Sequence, residues 1–218
     1  MIIETLQLGP VATNCYIYSP DGVHAIIVDP ADDAQTIAGH VAAMELTAVG
    51  IVNTHGHLDH TGANAALKIL LGIPIAIGAA DAPYLGSGAE PLHRQDALTV
   101  GPEGVALFQQ FYVPSPPADA LLREGDEIPY GRLKVVATPG HTPGSISLVG
   151  DGVAFTGDAL FAGAVGRTDL CGGDEAALLA SIRDKLLTLP GATRVFPGHG
   201  PPTTIADEKL HNPFLNAG

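Results

Sequence analysis

An α/β layered domain is the fold class that this sequence predicts, and three observations predict it. Strand-like apolar runs alternate with helical stretches. Several of those runs are apolar at successive positions, as strands buried on both faces are. No charge run or low-complexity linker divides the chain. Strands of that kind belong in sheets covered by helices. At 218 residues and 46% apolar content, one domain over 1–218 is expected, and a disordered chain is excluded.

The elements follow in order. Ile2–Leu8, Cys15–Tyr18 and Ala25–Val28 read as strands separated by Gly and Pro turns. Asp32 or Asp33 caps a helix that runs to Leu46, with Ile37, Val41 and Met44 near helical spacing. Ala48–Val52 is a short, wholly apolar strand. A second helix runs from Asp59 or His60 to Leu71, turning Ala63, Leu67, Leu70 and Leu71 toward a core, and Ile73–Ile77 follows as a strand. Residues 78–124 give no clear periodicity. They hold Phe108, Phe111 and Tyr112, which either line an apolar pocket or plug the core beneath a long loop. Strands resume at Arg132–Ala137, Ser145–Val149 and Val153–Phe155. A helix over Asp174–Leu187, a last strand at Arg194–Phe196 and a short helix over Ile205–Leu210 complete the set.

Charge narrows the function by exclusion. Ten Lys and Arg against 23 Asp and Glu leave a net charge of −13, with no basic cluster to grip a nucleic-acid backbone. The apolar stretches fall well short of the roughly 18 residues of a membrane span, and Met1–Glu4 lacks the basic start of a signal peptide. No membrane association and a cytoplasmic location are therefore expected. Cys15 and Cys171 make neither a disulfide framework nor a CxxC site, and Cys15 reads as a small buried hydrophobe.

The histidines carry the chemistry. Thr54-His-Gly-His-Leu-Asp-His60 places four potential ligands within six residues. His55 and His57 sit two apart just after a strand and can converge on one ion. Asp59 and His60 stand at the mouth of the next helix and can face a neighbouring position. This mixture of imidazole and carboxylate is the donor set of Zn, Fe and Mn sites. Three later segments repeat one arrangement, an apolar strand, then Gly, then a ligand type. They are Leu133–His141, Val153–Asp158 and Arg194–His199, with Gly140, Gly157 and Gly198 allowing a tight turn before each ligand. Seven candidates, His55, His57, Asp59, His60, His141, Asp158 and His199, are too many for one tetrahedral ion. They suit two ions that share a carboxylate and keep open positions.

The HxHxDH, GH, GD and GHG segments, in that order between 49 and 200, resemble those of the metallo-β-lactamase superfamily. The resemblance implies an αββα sandwich of two mixed sheets flanked by helices, with the site at one edge between them. It implies one ion on His55, His57 and His141, a second on Asp59, His60 and His199, and Asp158 as the bridge. Gly157-Asp-Ala-Leu-Phe161, Gly166-Arg-Thr-Asp-Leu170, Pro197-Gly-His-Gly-Pro201 and Asn212-Pro-Phe-Leu215 are further similar to the short glyoxalase II-like hydrolases. That group implies hydrolysis of a small-molecule 2-hydroxyacyl thioester such as S-D-lactoylglutathione, giving a hydroxy acid and a thiol.

Two divalent ions, zinc first with iron or manganese as alternatives, would lower a bound water's pKa toward about 7 and supply the hydroxide that attacks the thioester. Asp59 is the candidate that both ligates and orients it. Asp29 is either an acceptor for a ligand histidine or a turn residue before Pro30. Arg167, with Asp169 beside it, stands where related enzymes often carry a Lys and a Tyr. It is the candidate substrate contact, or else a salt bridge within its own loop. The two-domain relatives carry a C-terminal helical region that contacts glutathione, and the sequence reaches Gly218 soon after His199, so weak discrimination among thiols is expected. The competing activity is that of a mononuclear iron persulfide dioxygenase, which would use His55, His141 and Asp158 alone.

Overall fold

The structure is a computed structural model, and it describes residues 1–216. β1 (Ile2–Leu8), β2 (Thr13–Ser19) and β3 (His24–Val28) lead into α1 (Ala34–Ala43), β4 (Thr47–Asn53), α2 (Leu58–Thr61), α3 (Asn64–Leu71) and β5 (Ile75–Gly78). A 3-10 turn over Ala79–Tyr84 precedes α4 (Glu90–Val100), α5 (Pro102–Phe111) and β6 (Ala120–Leu122). The second half holds β7 (Glu127–Ile128), β8 (Leu133–Ala137), β9 (Ile146–Gly150), β10 (Val153–Gly157), β11 (Leu160–Phe161) and β12 (Ala164–Val165). It continues with α6 (Glu175–Ser181), a π turn over Ile182–Leu186, β13 (Arg194–Pro197), β14 (Thr203–Thr204), α7 (Ile205–His211) and α8 (Pro213–Asn216).

Two six-stranded mixed sheets form, in the orders β1-β2-β3-β4-β5-β6 and β14-β13-β10-β9-β8-β7, with β11 and β12 as a separate ribbon. The strands apolar on both faces explain the layering. In β3, Ala25 and Ile27 join Ile37, Val41 and Leu67 of α1 and α3, while Ile26 and Val28 face the other sheet with Tyr16, Tyr18, Leu148 and Phe155. In β13, Phe196 enters the core between the sheets and Val195 packs with Leu178, Ile182 and Ile205 beneath α6 and α7. Helix, sheet, sheet, helix is the resulting order, the αββα sandwich. Each large side chain fully buried in these layers contributes roughly 1.5–3 kcal/mol.

The strands run parallel where it matters for function. β3, β4, β5 and β6 are parallel, as are β10 and β13, and β8 shares the β10 direction through antiparallel β9. The carboxyl ends of β4, β8, β10 and β13 therefore deliver His55, His141, Asp158 and His199 to one edge of the sandwich.

Some boundaries differ from the sequence expectations. The helix expected from 59 to 71 breaks into α2 and α3 at Gly62 and Ala63. A Cβ on Gly62 would overlap the Ala31 carbonyl, and Ala63 N donates to the Pro30 carbonyl at 2.9 Å, so the β3–α1 loop wedges into the helix path. Asp33, not Asp32, caps the first helix, accepting from Thr36 N at 3.1 Å, and that helix stops at Ala43. Residues 78–124, which show no clear periodicity in the sequence, hold α4 and α5. The first of these helices escaped detection because its buried face carries His93 and Asp96 with Ala97, and so shows no apolar stripe. The helix expected over 174–187 ends in the π turn. Phe108 is buried and stacks on Tyr112 at 4.9 Å, so these rings support α5. Cys15 is fully buried, as expected.

Candidate metal centre

Histidine tautomers define the site. The Thr54 hydroxyl donates to Asp29 Oδ2 at 2.6 Å, so its oxygen is left to accept from His55 Nδ1 at 3.1 Å. His60 Nδ1 donates to the same Asp29 oxygen at 3.0 Å, and His141 Nδ1 donates to the Arg167 carbonyl at 2.7 Å. Each bond fixes a proton on Nδ1 and turns Nε2 inward, the atom left to meet an ion once it carries no proton. His55 Nε2, His60 Nε2 and Asp158 Oδ1 are buried with no hydrogen-bond partner. Buried polar atoms left unpaired cost about 1–3 kcal/mol each, so a cluster of them marks a place built for a ligand.

Two donor groups converge. His55, His57 and His141 present three ring nitrogens within 4.8 Å of one another, and Asp59, His60 and His199 present a second set. His57 Nδ1 and His141 Nε2 lie 2.9 Å apart. Asp158 stands between the groups. Its Oδ1 is 3.4 Å from His60 Nε2, and its Oδ2 is 3.7 Å from His141 Nε2 and 3.5 Å from His199 Nε2. Asp59 Oδ2 is 3.5 Å from His60 Nε2 and 3.3 Å from His199 Nε2, and it accepts from the Thr13 hydroxyl at 3.1 Å. All seven residues singled out in the sequence thus meet at one edge. Their nitrogens and carboxylates, with unpaired atoms pointing inward, fit zinc, iron or manganese.

The electrostatics divide along the same line. Burial, reinforced by neighbouring imidazoles, holds His55 and His57 well below the ordinary histidine range. Burial also lowers His60, but the carboxylates of Asp59, Asp158 and Asp29 outweigh it and push His60 up to about 10. For Asp59 burial works upward, and His60 and His199 together hold its carboxyl far below the usual range.

Of the supporting residues, Asp29 is one of the two readings the sequence offers, whereas Asp81, Asn14 and Tyr16 are not singled out there. Asp29 emerges as the acceptor for His60 rather than only a turn residue, and it also receives Thr54 N at 2.7 Å. Asp81, in the 3-10 turn, accepts from Gly56 N at 2.9 Å, Thr142 Oγ1 at 2.7 Å and Gly144 N at 2.6 Å, tying the His57 loop to the His141 loop. Burial pushes the Asp81 carboxyl up against these three donors. Asn14 Nδ2 and the Tyr16 hydroxyl both donate to the Pro197 carbonyl, at 3.0 and 2.6 Å, and so hold the approach to His199. A single polar residue embedded in an apolar segment is the signal for Asp81.

A cavity of about 430 Å³ opens over the donors. Val11, Leu58, Val100, Leu107, Phe161 and Leu170 give it an apolar wall. This is the size and character of a small-molecule site. Of the three aromatics considered in the sequence, none lines this cavity, and residues of α4 and α5 that precede them do. Arg167 lines it too, with its Nε and Nη2 donating to Asp169 at 2.7 and 2.8 Å. Asp169 takes two of the five guanidinium N–H groups and leaves three.

Comparison with known proteins agrees with this geometry. The metallo-beta-lactamase superfamily pattern matches residues 8–199. The chain is 36% identical over 227 residues to hydroxyacylglutathione hydrolase GloC of Haemophilus influenzae, covering 100% of this chain and 99% of that one. Among solved structures, the B3 metallo-beta-lactamase BLEG-1 is 38% identical, with a TM-score of 0.88 over 99% of this chain and 100% of its own. TTHA1623, in a di-iron-bound form, is 34% identical, with a TM-score of 0.83 over 97% and 100%. With donors, fold and sequence in agreement, the chain belongs to the metallo-beta-lactamase superfamily.

Proposed function

We propose that this protein is a dinuclear-metal hydrolase of 2-hydroxyacyl thioesters of the S-D-lactoylglutathione type, releasing a hydroxy acid and a thiol. The observation that carries the proposal is two donor groups with Asp158 between them on the floor of one apolar-walled cavity. In this reading His55, His57 and His141 would hold one divalent ion and Asp59, His60 and His199 the other, with Asp158 standing between the two groups as the residue they would share. Zinc is the first choice, with iron or manganese as alternatives. Such ions supply a deprotonated water at neutral pH and stabilise a carbonyl oxygen as it becomes negative. The similarity to GloC supports the thioester, and the di-iron form of TTHA1623 supports two ions.

The chain's own residues do the rest. Asp59, half-buried and fixed through Oδ2 by Thr13, orients the attacking water. Arg167 offers its three remaining N–H groups to the substrate's polar end. The apolar wall of Leu58, Val100, Leu107 and Leu170 excludes bulk water from the acyl group. No side chain is needed as a strong acid, because a thiolate leaves without one. A net charge of −13 disfavours a nucleic acid as the substrate. No helix among the described residues is long and apolar enough to cross a membrane.

The test compares metal-loaded protein on S-D-lactoylglutathione, a lactoyl ester of a different thiol, nitrocefin and a phosphodiester, with oxygen uptake on glutathione persulfide followed in parallel. Thioester turnover faster than every other reaction supports the proposal. No thioester turnover, beside rapid nitrocefin hydrolysis or persulfide-dependent oxygen uptake, overturns it.

A further inference from the structure

Four of the five imidazoles at the two donor groups are buried, and three of those four have their outward nitrogen held. His55 is held by Thr54, His60 by Asp29 and His141 by the Arg167 carbonyl. His57 breaks the pattern. It turns Nδ1 toward His141 Nε2, at 2.9 Å, and points Nε2 away from the donor cluster. That Nε2 is buried and has no hydrogen-bond partner.

The atom opposite it is equally unpaired. Asp96, on the buried face of α4, bonds the Cys171 backbone N–H through Oδ1 at 2.8 Å. Its Oδ2 is closed off from solvent, has no partner, and lies 3.7 Å from His57 Nε2. Two complementary groups are therefore sealed against each other slightly beyond bonding distance. A carboxylate can only accept, so Nε2 must donate if both are to be satisfied. The cost of leaving both unpaired drives that small closure.

We propose that Asp96 is a positioning residue for the metal site. It holds the His57 proton on Nε2 and so commits the Nδ1 lone pair to the ion shared with His55 and His141. The same carboxylate, through Cys171, ties this histidine to the loop that carries Arg167 and Asp169, so metal occupancy and the cavity wall are linked through one side chain. The assignment rests on the donor set and not on the identity of the substrate, so its test needs no turnover.

The experiment is nitrogen-15 NMR of the imidazoles in the zinc-loaded protein, together with the zinc dissociation constant of the first site. In the wild type, His57 is expected as the Nε2–H tautomer. In Asp96→Asn the carbonyl keeps the Cys171 bond and the amide faces His57 as a donor, which favours the opposite tautomer and opposes the ion. Zinc affinity at that site should fall by roughly 10- to 100-fold, the usual effect of losing a group that orients a ligand. Asp96→Glu, which retains the acceptor, should recover part of the affinity that Asp96→Asn loses. A folded Asp96→Asn protein with wild-type zinc affinity and an unchanged His57 signal overturns the proposal. If neither variant folds, the wild-type spectrum decides alone, and a His57 without a proton on Nε2 overturns it.

Discussion

Gly198 precedes His199 just after β13, and its missing side chain is a tight steric condition on the site. A Cβ built there would overlap Asp158 Oδ1 and stand 2.7 Å from His60 Cε1, where real Cβ atoms keep at least 3.0 Å. In Gly198→Ala the His60 ring must therefore retreat by about 0.3 Å and the Asp158 carboxylate by more. Metal–ligand distances hold to about ±0.2 Å, so both shifts exceed what a coordination sphere accepts. The variant should lose at least one ion. Overpacking should also cost the metal-free protein about 1–3 kcal/mol. For a chain of this length that is a fall of about 2–12 °C in Tm. The assay is thermal unfolding with and without added zinc, alongside the metal content. Wild type gains stability with zinc, about 2.7 kcal/mol at a hundredfold excess over Kd, and the variant should lose most of that gain. Gly39→Ala is the control. Gly39 is exposed in the middle of α1 with nothing within 4 Å of its Cβ position, so alanine should stabilise by about 0.5–1 kcal/mol. Gly198→Ala with two bound ions and the full zinc-dependent rise in Tm would refute the reasoning.

Three further outcomes are expected. Asp158→Ala should strip or loosen both ions in elemental analysis, because Asp158 contacts both donor groups, whereas Asp169→Ala should keep both. Arg167→Ala should raise KM for a lactoyl thioester more than it lowers kcat, the pattern of lost uniform binding, and an equal loss in kcat and kcat/KM would count against a binding role. The third outcome concerns pH. His55 and His57, held low, are already neutral at pH 7, whereas His60, near 10, and His199, also raised by Asp59 and Asp158, must lose a proton to bind an ion. As pH falls from 8 to 6, the ion on Asp59, His60 and His199 should leave first, and equilibrium metal content at each pH shows whether it does.

Much of the site was legible because its chemistry is local in sequence. His55 to His60 lie within six consecutive residues, and His141, Asp158 and His199 each follow an apolar strand and a glycine. Strands buried on both faces carried the layered fold in the same way. What stayed hidden depends on contacts distant along the chain. Asp81 reaches 61 residues to Thr142, and Asp96 reaches 75 residues to Cys171, and neither distance leaves a trace in local spacing. Helix α4 was unreadable because its inner face serves the site and not a core, so polar residues stand where apolar periodicity would be sought. The break in the helix at Gly62 is imposed by the Pro30–Ala31 loop packed against it, a tertiary cause that propensity does not register. The sequence allows two readings of Arg167, and its bidentate bond to Asp169 shows that the loop salt bridge forms while the side chain still lines the cavity.

Metal content per chain tests the central claim most directly. The protein, purified without chelators and then equilibrated with zinc, iron or manganese, should approach two equivalents by elemental analysis, one for each donor group around Asp158. A single tightly bound ion, with no second site filled at saturating metal, would contradict the dinuclear assignment.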